Sequence, residues 1–248
     1  MSFFVGNVRA PMSAGVSRIG AAQYDAGLRA YMLSIYNHMT LGLAISAVVA
    51  LATFMLAKSN PSVAYALYFS PLKWLIMLAP LGFVMFMSFR FDRMSYQSLL
   101  GTFWAFAAVM GLSLSTWFLV FKIGSIVQVF FVTAAAFGGL SLYGYTTRRG
   151  LSAMGSFMAM GLIGLIIAML VNAFVQSTAF QLALNILGVV IFAGLTAWDT
   201  QRLKDSYDPA ACHGALMAKY SLMCALTLYL NFINMFQFLL SIMGNRDN

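Results

Sequence analysis

The chain is expected to be an all-α integral membrane protein with seven transmembrane helices, and three observations lead there. Hydrophobic residues fill 62% of 248 positions and charged residues only 8%, which leaves too little polar surface to cover a soluble domain. The apolar residues gather into seven runs, each long enough to cross a bilayer. The fourteen Lys and Arg sit singly or in pairs between these runs. That pattern signals topology rather than a basic patch, so no nucleic-acid partner is expected despite the net charge of +8.

In chain order, residues 1–30 carry Arg9, Arg18 and Arg29 but lack the compact apolar run and cleavage site of a signal peptide. They are read as a retained cytosolic arm, mobile or lying on the membrane surface. The membrane domain follows over 31–245. Span one is read at 31–57, with His38 near its start as an interfacial residue. A polar loop ends at Pro71, and span two, 72–89, carries Pro80 near its middle, where a kink is expected. Arg90, Asp92 and Arg93 close that span. Spans three and four, 99–121 and 123–145, form a hairpin around Lys122. Arg148 and Arg149 precede span five, 151–175, and an uncharged linker leads to span six, 180–198. A polar loop over 200–219 then reaches span seven, 220–243. Ala135 with Gly139, and Gly161 with Gly164, are read as positions of close helix packing.

Seven crossings put the termini on opposite sides. A cytosolic arm leaves only Lys58, Lys73, Lys122 and Arg246 outside and the other ten basic residues inside. The N-terminus is therefore expected in the cytosol and the C-terminus outside.

There is no Glu, and of the six Asp residues only Asp199 directly follows a long apolar run, in VIFAGLTAWDTQRLK at 190–204. An acid there is expensive to desolvate, which makes it a functional candidate. The plainer reading, left open at this point, is that it caps the interface and pairs with Arg202 or Gln201. Span seven carries Cys224, Thr227, Asn231, Asn234, Gln237 and Ser241 at helical spacing, so one face is polar. Interhelical hydrogen bonds, at roughly 0.6 kcal/mol each, account for Gln237 and Ser241. Asn231 and Asn234, within LYLNFINMF, point instead to a polar cavity shared with Asp199. Arg90 has the depth to neutralise that acid, although a positive-inside anchor is the commoner role for such an Arg.

Several chemistries are excluded. A retinal pump needs a Lys inside its last helix, and Lys219 only precedes this one. An intramembrane aspartyl protease needs two membrane carboxylates. His38 and His213 have no glycine-framed serine, and no phosphate-binding or dinucleotide fingerprint occurs. Cys212 and Cys224 have neither metal-ligand nor disulfide spacing and are read as structural. An enzyme is not expected.

WDTQRLKD after span six, LYLNFINMFQFLLSIMGN in span seven, and AAAFGGLSLYGYTTRRGLSAMGSFMAMGLIGLI across spans four and five closely resemble bacterial members of the Bax inhibitor-1 (transmembrane Bax inhibitor motif) family. The resemblance covers about residues 25–245. It implies a bacterial cytoplasmic-membrane protein with six helices around a central hydrophobic one, leaking calcium down its gradient in a pH-sensitive way. Calcium would be the permeant or bound ion, with no other cofactor. In the family two Asp residues, at the end of span six and in span seven, share a proton, and an Arg near the end of span two belongs to the closed state. The motif places the first Asp on Asp199 and, by a more local match, the Arg on Arg90. The second Asp position holds Asn231. Two touching carboxylates cannot both ionise cheaply and so form a proton switch, whereas a carboxamide can donate a hydrogen bond but holds no titrating proton. Asp199 is then the expected calcium ligand, and the Asn231 carbonyl a weaker one. The implied function is a calcium or cation leak with blunted pH gating. The alternative is a non-transporting protein whose arm modulates a membrane-bound protease or a cell-survival or stress complex. A third is a folded protein with little transport. Asn231 lies about 16 Å along span seven while Asp199 reads nearer the rim, so helix tilt, or span six running past Lys204, is required to join them.

Overall fold

The computed structural model describes residues 12–207 and 214–247. Helix α1 spans Met12–Ser59, and a short helix α2, Pro61–Ala64, runs into a π turn, Tyr65–Phe69. The remaining helices are α3 Leu72–Arg90, α4 Tyr96–Leu114, α5 Ile123–Thr146, α6 Ser152–Val175, α7 Thr178–Asp205 and α8 Ala215–Met243. Seven of these, all but α2, are long and apolar enough to cross a membrane. Local chemistry sets several ends. Ser95 and Ser177 cap α4 and α7 by accepting from the backbone N–H of Ser98 and Phe180. Helix α6 stops at Gln176, whose φ of 52° is left-handed.

Two expected boundaries change. The part of the arm over residues 1–11 lies outside the described residues, as do Asp208, Cys212 and His213. From Met12 onward the arm is the first stretch of α1, and Leu28 is already buried, so no break occurs at residue 30. Helix α7 continues through its charged residues to Asp205, and α8 begins at Ala215, which shortens the loop read at 200–219 from both sides. Pro80 lies near the middle of α3, where span two was expected to carry it.

The expected packing glycines are also displaced. Ala135 and Gly139 face outward, Gly164 has open space, and Gly161 makes only ordinary contact with Ile191. Close approach occurs at Gly144, where a methyl group would strike the Ala197 carbonyl of α7, and at Gly155, where it would enter the Trp198 indole. Spacing identifies residues that share a face but not the face that meets a neighbour.

Helix α8 is the centre of the bundle. Leu222, Leu228, Tyr229, Met235 and Leu240 on it are fully buried, with α1, α4, α5 and α7 packed around it. Helices α3 and α6 form an outer layer, on α4 and α7 respectively, and expose apolar faces such as Leu75, Leu78, Ile163 and Leu170. The centre is tied by Ser46, which donates to the Ala107 carbonyl at 2.7 Å. The Tyr229 hydroxyl therefore donates to Ser46 Oγ, also at 2.7 Å, linking α8, α1 and α4. Phe103 and Phe106 meet the Tyr229 ring edge-on. At one end of the bundle, Phe121 pairs with Arg246, and the Lys122 N–H donates to the Asn245 carbonyl at 3.0 Å.

Tyr229→Ala should cost roughly 3–5 kcal/mol of stability and Tyr229→Phe only about 1 kcal/mol, because the first opens a ring-sized cavity and the second removes one hydrogen bond. Thermal unfolding in detergent measures both. Equal losses would mean that the hydroxyl, rather than the ring, holds the three helices.

Candidate functional site

Asp199 lies six residues before the end of α7, in helix and not in a loop. Its Oδ2 accepts a hydrogen bond of 2.7 Å from Asn231 Nδ2 near the middle of α8. Both side chains are buried, at 5% and 6% exposure. The hydrogen bond sets the two side chains at one level across the α7–α8 contact. Helices α7 and α8 run antiparallel here, since Phe192 stacks on Phe238 at 5.9 Å one stage further along.

The plainer reading of Asp199 is not what the structure contains. Gln201 is committed to the α5–α6 connection, donating to the Arg149 carbonyl at 2.9 Å and accepting from the Leu151 N–H at 2.7 Å. Arg202 is exposed, with its guanidinium 5.4 Å from the centre of the Trp198 ring. Lys204 donates to the Tyr145 carbonyl at 2.9 Å. Arg90 is not brought to the acid. It is exposed at the end of α3, over Phe86, and α3 packs on α4 rather than on α7.

Asn231 and Asn234 both line a cleft of about 590 Å³ between α6 and α8, floored by α7. Asn231 turns its nitrogen to the carboxylate, which leaves its carbonyl oxygen available. Asn234 Nδ2 donates to the Leu230 carbonyl at 2.7 Å, and its Oδ1 accepts no hydrogen bond among the described residues. Thr227, Gln237 and Ser241 continue the polar face along α8. Cys224 turns away from the cleft toward Tyr31, with 3.4 Å between Sγ and the hydroxyl. Among the described residues no three His, Cys, Asp or Glu side chains converge. A calcium ion here would rest on one carboxylate supplemented by carboxamide and backbone oxygens.

The sequence reading missed the other polar end of the cleft. Asn172 of α6 donates to Gln181 Oε1 at 2.8 Å, and Gln181 Nε2 donates to Asn185 Oδ1 at 2.9 Å. Gln181 and Asn185, four apart in an apolar run, were the available signal.

A family model described as "Inhibitor of apoptosis-promoting Bax1" matches residues 28–248. The chain is 44% identical to protein RP147 of Rickettsia prowazekii, over 90% of this chain and 92% of that one. It is 43% identical to a Caulobacter vibrioides protein, with the same two coverages. It is 41% identical to the inner membrane protein YbhL of Escherichia coli, over 90% of this chain and 95% of that one. A match across the whole seven-helix region, together with relatives of this identity and coverage, places the chain in the Bax inhibitor-1 family of membrane proteins.

Proposed function

We propose that this protein is a calcium or cation leak pathway in the bacterial inner membrane, the location given by the name of its E. coli relative. In this reading the N-terminus is cytosolic and the C-terminus outside, and the protein is not an enzyme. The observation that carries it is the buried hydrogen bond to Asp199 from Asn231, which itself lines a cleft together with Thr227, Asn234, Gln237 and Ser241 of α8.

A dehydrated cation needs oxygen acceptors and, in a low dielectric, negative charge. Asp199 supplies the charge, while Asn231 Oδ1 and Asn234 Oδ1 extend the acceptor surface away from it. Asn231 matches a protonated acid in shape and hydrogen bonding, so it holds the geometry of a carboxyl pair. It has no proton to exchange near neutral pH, and the pH gate expected of two carboxylates is blunted. Arg90, exposed on the outer layer, is left with the smaller part.

The test is calcium flux into proteoliposomes between about pH 6 and pH 8, the range in which a coupled carboxylate pair titrates. Native protein should conduct with less than about a twofold change over that range, and Asp199→Ala should abolish most of the flux. Asn231→Asp should restore a severalfold pH dependence; an unchanged profile would sink the blunted-gate reading. No flux from either native protein or Asn231→Asp would favour the non-transporting reading, in which the arm engages a membrane protease or stress complex.

Arg90→Ala should reduce flux less than Asp199→Ala does in the same assay. The reverse order would return the controlling charge to α3.

A further inference from the structure

We propose that the end of the cleft remote from Asp199 is a binding site for a membrane phospholipid, held through a glycerol-ester or phosphate oxygen by the Asn185 amide.

The direction of the amide relay is the basis. The Ser177 backbone N–H can only donate, and it faces Asn172 Oδ1 at 3.2 Å. Asn172 must then present its nitrogen to Gln181 Oε1, and Gln181 its nitrogen to Asn185 Oδ1. Asn185 is last in the row, and its Nδ2 has no acceptor among the described residues. The residue is 5% exposed and lines the cleft, so what little of it is accessible faces that space. The nitrogen is not sealed inside the protein but reachable from the cleft, and the group that pairs with it there must offer oxygen lone pairs. A bare cation is repelled by the same N–H groups.

The α6 side of this end is apolar, while Gln237 and Ser241 keep part of the α8 side polar. Leu165 and Met169 of α6, with Phe192 and Phe238, form walls suited to a hydrocarbon chain. The α6 side opens outward, since Ile166 and Met169 are 52% and 40% exposed. A free fatty acid carries the same oxygen-and-chain chemistry, but it would bring a carboxylate against these apolar walls, so the neutral ester of a phospholipid is the better fit.

This inference does not depend on ion transport, and its readout contains none. The purified full-length protein is incubated with phosphatidylglycerol or with palmitate, exchanged into fresh detergent, and examined by native mass spectrometry. Native protein should keep one phosphatidylglycerol, and Asn185→Leu should hold it about fivefold more weakly, the effect of one net hydrogen bond. Met169→Trp leaves the relay intact and fills the exposed wall, and it too should lower retention, which covers the case in which Asn185→Leu misfolds. Failure of native protein to retain phosphatidylglycerol, or equal retention by native protein and a folded Met169→Trp, overturns the site. Preferential retention of palmitate overturns the phospholipid assignment.

Discussion

The hydrogen bond from Asn231 to Asp199 is the constraint from which the inner bundle is organised. A carboxylate removed from water needs donors close by, and the surrounding side chains here are mostly hydrocarbon. The α8 amide supplies that donor. Because the donor is on α8, the bond fixes how α7 lies against the central helix. The stack of Phe192 on Phe238 and the close approach of Phe238 to Gly188 follow in the same register. Tyr229 stands two residues before Asn231 and so points nearly the opposite way. It turns toward Ser46 and the α1–α4 side while Asn231 turns toward α7, and one helix thereby organises both halves of the bundle.

Much of this was legible in the sequence because a membrane imposes few options. Seven apolar runs become seven helices, since backbone polar groups have no other way to be satisfied in lipid. The polar stripe of α8 was visible in its three- and four-residue spacing, and the pairing of Asp199 with Asn231 came from the family resemblance and not from periodicity. The ends of helices were less legible. Asp199 looked like the edge of span six because a charge ends an apolar run, but charge marks the cost of burial and not the end of hydrogen bonding. Helix α7 continues to Asp205 because Gln201 and Lys204 find backbone acceptors on the α5–α6 connection and on α5. The start of α1 was obscured in the same way by Arg18 and Arg29.

Partners between helices were hardest to read. Gly139 and Gly155 are equally small, yet one faces open space and the other receives an indole. Nothing local separates them, because the difference lies in which helix is adjacent. Arg90 shows the same limit for charge. Its depth fitted Asp199, but α3 belongs to the outer layer, with α4 as its partner.

The two ends of the α6–α8 cleft have opposite hydrogen-bonding character, and both polarities are fixed by groups that have no choice. At one end a carboxylate and a backbone carbonyl can only accept, so the amide nitrogens of Asn231 and Asn234 turn to them and their oxygens are left over. At the other a backbone N–H can only donate, so the relay leaves the nitrogen of Asn185 over. An electropositive solute and an oxygen-bearing one therefore prefer different ends of one space. On this reading, a phospholipid at Asn185 lays its chain along Phe192 and Phe238, beside the route from Asn234. Two occupants that share a cleft but not a binding end affect one another reciprocally, each altering the other's affinity by the same factor. On the proposed function, the composition of the surrounding bilayer then becomes a control on the cation pathway that requires no second titrating group beside Asp199.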